Sequence, residues 1–138
     1  MFMEKDMDGI SFEGYERVDG RYGVRNHLAV ISSVGCANEV TRRIAQEVGG
    51  VPVLHGQGCG QMPSDLAQVR RVLAGIGINP NVGAALVVGL GCEGVQPRDL
   101  AADIAASGKP VEVVILQELG GYTRIVELGV EIGRKMKA

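Results

Sequence analysis

The sequence predicts an α/β fold, a three-layer Rossmann-like domain with a four-stranded parallel sheet and helices on both faces. Short β-branched apolar runs alternate with amphipathic segments of helical period from residue 27 onward. Glycine-rich turns, three of which carry a cysteine, follow the predicted strands. Turns of this kind bind ligands at the carboxyl ends of parallel strands. We predict the strand order 2-1-3-4, numbered along the chain.

The first two strand–helix units are predicted from their apolar periodicity. Residues 27–34 form a buried strand, and a helix follows over 38–48 with apolar side chains spaced four apart. Residues 51–55 form a shorter strand, whose early proline favours an edge position. The next helix, over about 64–75, is predicted to bury Leu66, Val69, Val72, Leu73 and Ile76.

The last two units follow the same pattern. Residues 83–89 contain the most apolar strand. Pro97 suits the first position of a helix that reaches about Ser107. Residues 111–116 form the fourth strand, and a final helix begins after the pair Gly120-Gly121.

The chain is predicted to hold one domain. Residues 1–13 are charged and show no periodicity, so we expect a mobile leader there. A single α/β domain then covers 14–138, with 14–26 as a connector and 27–138 as the strand–helix units. This length is enough to bury a sizeable core.

Composition excludes several classes of partner. The net charge is −2, which gives no basic surface for nucleic acid or an anionic membrane. The longest apolar run, 84–90, is too short to cross a bilayer. The first nine residues lack the apolar region of a signal peptide, and three cysteines fit a reducing compartment. We therefore expect a cytoplasmic protein with no nucleic-acid or membrane partner.

Three cysteines follow three different predicted strands. Cys36, Cys59 and Cys92 are each bracketed by glycine or small residues, and His55 lies four residues before Cys59. Thiolate and imidazole are ligands for iron or zinc, so the three turns predict one small-molecule or metal site. The alternative is that cysteine serves only as a small residue in tight turns.

Two polar residues, Glu93 and Gln117, are predicted at the same edge of the sheet as the cysteines. Glu93 lies in the run Gly89–Gly94, which fits the letters of a dinucleotide motif but lacks an acidic residue ending the next strand. Glu93 is a candidate general base or metal ligand, and the alternative is a carboxylate that favours helix entry. Gln117 follows the fourth strand, where such residues also cap helices.

Three arginines precede the first parallel strand. Arg17, Arg21 and Arg25 are spaced four apart, and a turn signal at Asp19-Gly20 argues against a helix. The guanidinium groups either bind substrate carboxylates or pair with acids on a neighbouring domain. Composition alone slightly favours the second interpretation.

An ordered series of motifs then covers nearly the whole chain from Gly14 to about Gly129. The series is Gly14-Tyr15-x-Arg17-x-Asp19-Gly20-Arg21-x-Gly23-x-Arg25-Asn26, Ser33-Val34-x-Cys36-Ala37-Asn38, His55-x-x-Gly58-Cys59-Gly60-Gln61, Asn79-Pro80-Asn81-Val82-Gly83, Val88-Gly89-Leu90-Gly91-Cys92-Glu93 and Gln117-Glu118-x-Gly120-Gly121. It resembles the galactarate dehydratase/altronate dehydratase family, which also includes sulfolactate sulfo-lyase.

The resemblance implies a carbon–oxygen lyase that removes water from a sugar acid such as altronate or galactarate. The product would be a 2-keto-3-deoxy acid, and the expected cofactor is Fe(2+) or another divalent metal. Proton abstraction next to the carboxylate would give an enediolate, which a metal and cationic groups stabilise. The β-hydroxyl would then leave with acid assistance.

Residue roles follow from the matched positions. Glu93 and His55 are the expected catalytic residues. The remaining expectations are substrate binding by Arg21, Arg25, Asn38, Gln61 and Gln117, and metal binding by Cys36, Cys59 and Cys92.

The resemblance also implies partners. Members of this family typically carry a larger carboxyl-terminal domain, and this chain matches only their middle module. We therefore expect a carboxyl-terminal catalytic domain or partner subunit beside a small sugar-acid substrate, and a homo-oligomer is possible. Two alternatives remain open, a subunit of the sulfolactate sulfo-lyase type and a non-catalytic docking or assembly module.

Overall fold

The computed structural model describes residues 2–7 and 9–138, with the backbone alone at 2–7. An antiparallel sheet of three strands comes first in the chain. Its strands are β1 (Phe2–Met7), β2 (Ile10–Glu16) and β3 (Tyr22–Gly23), in that order across the sheet.

The second sheet is parallel and has four strands. They are β4 (His27–Ser32), β5 (Val51–Val53), β6 (Val82–Gly89) and β7 (Val111–Ile115), and the order across the sheet is β5-β4-β6-β7. Numbered along the parallel sheet, this is 2-1-3-4. The predicted order is confirmed, and the short strand that carries Pro52 lies at an edge as expected.

Four helices cover the two faces of the parallel sheet. They are α1 (Asn38–Val48), α2 (Pro63–Ile78), α3 (Pro97–Ala105) and α4 (Tyr122–Lys137). The α1 and α4 helices pack on one face, and α2 and α3 pack on the other. The predicted three-layer Rossmann-like fold is therefore confirmed.

The core consists of two apolar layers separated by the sheet. On β4, Leu28 and Val30 face α1 and α4, whereas Ala29 and Ile31 face α2 and α3. All four side chains are at most 3% exposed. Burying a large apolar side chain of this kind stabilises the fold by about 1.5–3 kcal/mol. This core fixes the relative positions of the strand ends.

A hairpin occupies most of the segment that was expected to be a mobile leader. β1 and β2 pair antiparallel, with Met7 opposite Ile10. Gly9, in the connection, has φ of +83°, a conformation that glycine adopts readily. The leader expectation for Met1 and Asp8 lies outside the described residues.

The connector, residues 14–26, packs against the amino ends of the parallel strands. Arg17 donates a hydrogen bond from Nε to the Pro80 carbonyl at 2.7 Å and one from Nη1 to Asn26 Oδ1 at 2.9 Å. Gly23 approaches the same turn so closely that a Cβ would lie 2.0 Å from the Pro80 oxygen. The connector is therefore held by contacts within this chain.

The inward face of α2 differs from the prediction. Val72 and Ile76 are 55% and 38% exposed, so the prediction that both face the core is wrong. Leu73, Ala74 and Gly77 are the buried residues of this helix. Gly77 lies against Ile104 of α3, where a Cβ would come within 2.5 Å of the Ile104 side chain. Because of this close contact between the helices, the side of α2 that carries Leu73 and Gly77 faces the core.

Candidate active site

The three cysteine loops lie at one edge of the parallel sheet. Cys36 follows β4, Cys59 lies in the loop after β5, and Cys92 follows β6. These three strands are neighbours and run in the same direction, so their carboxyl ends meet. The Gly35 N–H donates a hydrogen bond to the Gln57 carbonyl at 2.7 Å, which joins the loops after β4 and β5.

The cysteine side chains are free thiols with exposed positions. Partial desolvation raises the pKa of the Cys59 thiol, and the neighbouring Cys92 and Cys36 thiols raise that pKa further. The Gln117 amide also donates a hydrogen bond to the Cys92 sulfur at 3.6 Å. Gln117 and Cys92 therefore lie together, at the edge where the loops of Cys36 and Cys59 also lie.

Glu93 is buried beneath this edge, with 2% of its surface exposed. Ser33 Oγ donates to its Oε1 at 2.6 Å, and the N–H groups of Leu90 and Gly91 donate at 2.9 and 2.6 Å. Burial raises the pKa of Glu93, but these donors outweigh burial and hold the pKa below its usual range. Hydrogen bonds from this chain therefore already engage the Glu93 carboxylate. This arrangement favours a role for Glu93 in holding the loop over the predicted role as general base.

Asn38, at the start of α1, holds the backbone of His55. Its Nδ2 donates to the His55 carbonyl at 2.8 Å, and its Oδ1 accepts the His55 N–H at 3.4 Å. Both polar groups of this amide are therefore engaged with the loop after β5. Asn38 positions His55, whereas the sequence analysis predicted that it binds substrate.

A cavity of about 460 Å³ lies between the loop after β5 and helix α2. Its polar lining residues are His55, Gln57, Gln61, Asp65 and Gln68. His55 Nδ1, His55 Nε2 and Gln61 Oε1 are buried and have no hydrogen-bond partner among the described residues. Leaving a buried polar group unpaired costs about 1–3 kcal/mol. These three atoms are therefore free to accept hydrogen bonds from, or donate them to, a molecule in the cavity, whether water or a ligand.

Sequence analysis missed several residues of this edge. Asp65 and Gln68 line the cavity from the first two turns of α2. Their spacing of three, directly after the Cys59 loop, was a usable signal because residues at i and i+3 share a helix face. Val72 also lines the cavity instead of the core. Ser33, at the end of β4, was missed as the partner of Glu93.

The structure does not bring Arg21 and Arg25 to the cysteine loops. Arg21 pairs with Asp19 at 2.7 Å and donates to the Ile78 carbonyl at 2.8 Å, just before β6 begins. Arg25 donates to the Val24 carbonyl, just before β4. Both arginines therefore lie at the amino ends of the strands, at the edge opposite the cysteines. A carboxylate bound at the cysteine edge is out of their reach.

The described residues do not form a ready site for a single ferrous ion. No group of three or more His, Cys, Asp or Glu side chains among them is arranged to hold one metal ion. His55 lines the cavity, and the Glu93 carboxylate is bonded to the chain. Three thiols without imidazole or carboxylate also differ from the donor set typical of non-haem Fe(II). The expected Fe(2+) therefore does not fit these residues as they stand.

Fold and site together define a parallel α/β domain with a cavity at the carboxyl edge of its sheet. The family model for the second domain of D-galactarate dehydratase/altronate hydrolase matches residues 14–138. The chain belongs to this family.

Curated relatives agree with this membership. The (2R)-sulfolactate sulfo-lyase subunit beta of Chromohalobacter salexigens is 35% identical over 121 residues, which cover 87% of this chain and 31% of that protein. The altronate dehydratase of Escherichia coli is 39% identical over 93 residues, 59% of this chain and 19% of the enzyme. The galactarate dehydratase (L-threo-forming) of the same organism is 33% identical over 110 residues, 68% of this chain and 21% of the enzyme.

This chain thus spans a third or less of the length of these relatives. No solved structure matches it significantly. Within the described part of the chain, no helix has the length and apolarity required to cross a membrane.

Proposed function

We propose that this chain is a domain or subunit of a sugar-acid dehydratase. The enzyme would remove water from an aldonate or aldarate, such as altronate or galactarate, and yield a 2-keto-3-deoxy acid. The observation that carries the proposal is the cavity at the carboxyl edge, where His55 and Gln61 present buried polar atoms without partners. Relatives named altronate dehydratase and galactarate dehydratase support it.

The cavity suits a short polyhydroxylated acid. Its volume of about 460 Å³ lies within the range of small-molecule sites. Gln61 Oε1 would accept a hydrogen bond from a substrate hydroxyl, and Gln57, Asp65 and Gln68 line the rest of the polar wall. Each hydroxyl bound this way satisfies a buried group that otherwise lacks a partner. Gln61 and its neighbours would therefore orient the substrate.

His55 is the proposed acid–base residue. Imidazole takes up and releases protons near neutral pH, and both His55 ring nitrogens are free of partners among the described residues. One nitrogen would remove the proton next to the substrate carboxylate or protonate the departing hydroxyl. Asn38 fixes the backbone of His55 through two hydrogen bonds, and Glu93 fixes the neighbouring Cys92 loop. We assign no step to Fe(2+).

The remaining catalytic groups would come from outside this chain. The cavity is only partly enclosed by the loop after β5 and helix α2. We propose that a further domain or a partner subunit closes the cavity and contributes the cationic groups that bind the carboxylate. A second copy of this chain is the alternative source. Three free cysteines fit enzymes of the reducing cytoplasm.

A sulfolactate sulfo-lyase subunit is the second candidate. The sulfo-lyase subunit beta aligns with 87% of this chain, against 59% and 68% for the two dehydratases of Escherichia coli. The elimination would follow the same course, with cleavage of a carbon–sulfur bond and departure of sulfite with the bonding electron pair.

A substrate panel on the complete enzyme tests both candidates. Altronate, galactarate and (2R)-sulfolactate would be supplied in turn, with keto-acid and sulfite formation followed separately. We expect one of the three to react. Failure of the folded, complete enzyme to react with any of them would contradict the proposal. Full activity of both His55→Ala and Cys59→Ser enzymes would instead support a docking or assembly module.

A further inference from the structure

Two side chains on the α2 side of the cavity present hydrogen-bond acceptors. Gln61 donates from Nε2 to the Gly58 carbonyl at 3.3 Å, which fixes the orientation of its amide and leaves the buried Oε1 without a partner among the described residues. Asp65, in the first turn of α2, also lines the cavity, and an ionised carboxylate can only accept hydrogen bonds. This part of the wall therefore favours a ligand group that donates hydrogen bonds, such as a hydroxyl.

The same part of the wall carries a negative charge. Asp65 lines the cavity, and none of the described residues that line it is Lys or Arg. Arg70, farther along α2, is already engaged by α3, with its Nε 2.6 Å from Asp103 and its Nη1 3.9 Å from Asp99. A second carboxylate placed against Asp65 would therefore be repelled without compensation from a lining cation, and like charges brought together in a partly enclosed site oppose binding.

The amino end of α2 does not offset this charge. A helix amino terminus attracts anions through its free N–H groups. Pro63, the first residue of α2, has no N–H, and the N–H groups of Asp65 and Leu66 donate to the Met62 carbonyl, each at 3.0 Å. The carboxylate of Asp65 also lies within this first turn. The attraction of the helix for a negative charge is therefore already met by the chain itself.

We propose that Asp65 determines substrate specificity, by selecting a sugar acid whose far end is an uncharged hydroxyl group. The Asp65 carboxylate and Gln61 Oε1 would accept hydrogen bonds from the terminal hydroxyls of an aldonate. An aldarate would place its second carboxylate there, which offers no donor to either group and repels Asp65. His55, in the same cavity, would act next to the first carboxylate. The cavity thus favours monoanionic sugar acids over dianions such as galactarate and (2R)-sulfolactate.

Matched pairs of sugar acids test this selection. Galactonate and galactarate share the same configuration and differ only in the far end, which is a hydroxymethyl group in the first and a carboxylate in the second. Altronate and altrarate form a second such pair. Binding of all four to the complete enzyme would be measured by calorimetry at neutral pH, where every carboxyl group is ionised. We expect the monocarboxylate of each pair to bind at least about tenfold more tightly.

A charge-removing substitution identifies the residue responsible. Asp65→Asn keeps the size of the side chain, removes its charge and adds N–H donors, so we expect the two acids of each pair to bind within about threefold of each other. Asp99→Asn is the matched control, because Asp99 is also the third residue of a helix that begins with proline but lies outside the cavity. Arg70 keeps its pair with Asp103 in this control, which should retain the wild-type preference. Circular dichroism checks the folding of both variants.

This inference rests on the proposed function for the reacting end of the substrate, and the two fail in different ways. Equal or tighter binding of the dicarboxylates, binding of none of the four acids, preferential turnover of galactarate or (2R)-sulfolactate, or an unchanged preference in a folded Asp65→Asn enzyme would each overturn the inference. Preferential turnover of galactarate would still support the proposed dehydratase. Selective binding of the monocarboxylates by an enzyme that converts no sugar acid would contradict the proposed function and support the role of Asp65.

Discussion

Glu93 and His55 lie at the same edge of the sheet, but their polar atoms have opposite surroundings. The Glu93 carboxylate accepts hydrogen bonds from Ser33, Leu90 and Gly91. The two ring nitrogens of His55 are buried without a partner among the described residues. The first arrangement stabilises the loop, and the second leaves a group available to a ligand.

Replacing Glu93 with Gln should show what its carboxylate does. The lowered pKa means that ionised Glu93 stabilises the fold above its ordinary value of 4.5, and that this contribution is lost as pH falls through the lower folded-state value. At neutral pH we expect Glu93→Gln to lower the free energy of unfolding by about 1–3 kcal/mol. Urea unfolding measured from neutral pH to below 4.5 would test this expectation.

Glu112→Gln, at an exposed position on β7, is the matched control. It should have little effect on stability or on its pH dependence. The variant Glu93→Gln should also lose part of the acid sensitivity of the wild type. An unchanged stability and acid profile in Glu93→Gln would show that this carboxylate does not hold the loop.

The direction of the strands decides which of the predicted site residues lie at the same edge of the sheet. Cys36, Cys59 and Cys92 were placed at one edge because each directly follows a strand, and parallel strands align their ends. Arg21 and Arg25 precede β4, so the same topology places them at the opposite edge. Their predicted role followed the family resemblance and neglected this direction. The hydrogen bond from Ser33 to Glu93 was not predictable, because a contact between segments 60 residues apart depends on the folded geometry.

At the scale of elements, the inward face of helix α2 is set by its packing against α3, because the spacing of its apolar residues does not define one face. Apolar residues occur on several sides of this helix, so the pattern alone did not fix the inward face. Contact between Gly77 and Ile104 of α3 determines it and leaves Val72 in the cavity wall. The hairpin of β1 and β2 is the converse case. Its two strands pair directly along their length, although the charged sequence shows no apolar period.

A pair of glycine substitutions in α2 tests this packing. We expect Gly77→Ala to lower the free energy of unfolding by about 1–3 kcal/mol, because the new methyl group would lie 2.5 Å from the Ile104 side chain. Gly75, two residues earlier, faces open space. Gly75→Ala should therefore stabilise the helix by up to about 1 kcal/mol. Thermal or urea unfolding of both variants gives the comparison.

The two substitutions carry the same change in helix propensity, so the difference between them measures the contact with α3. Equal stability changes at the two positions would show that α2 does not approach α3 as described.

At the scale of the whole molecule, the two edges of the parallel sheet hold different features. The amino edge holds the connector through Arg17 and Arg21, with hydrogen bonds to Pro80 and Ile78. The carboxyl edge holds the cysteine loops and the His55 cavity. Strand order was predictable at this scale, since crossover rules leave few arrangements for four strand–helix units. The cavity was not predictable from the sequence, because its shape depends on where the loop after β5 contacts α2.

Steady-state turnover of the complete enzyme with His55→Ala, beside the same enzyme with His27→Ala, tests the central claim most directly. Both residues are histidines, but His27 is exposed at the amino end of β4, where it lines no part of the His55 cavity. We expect His55→Ala to lower kcat by about 100-fold or more without loss of stability, and His27→Ala to remain within about threefold of the wild type. A folded His55→Ala enzyme with wild-type kcat, or an equal loss in both variants, would contradict the claim that the carboxyl edge is the active site.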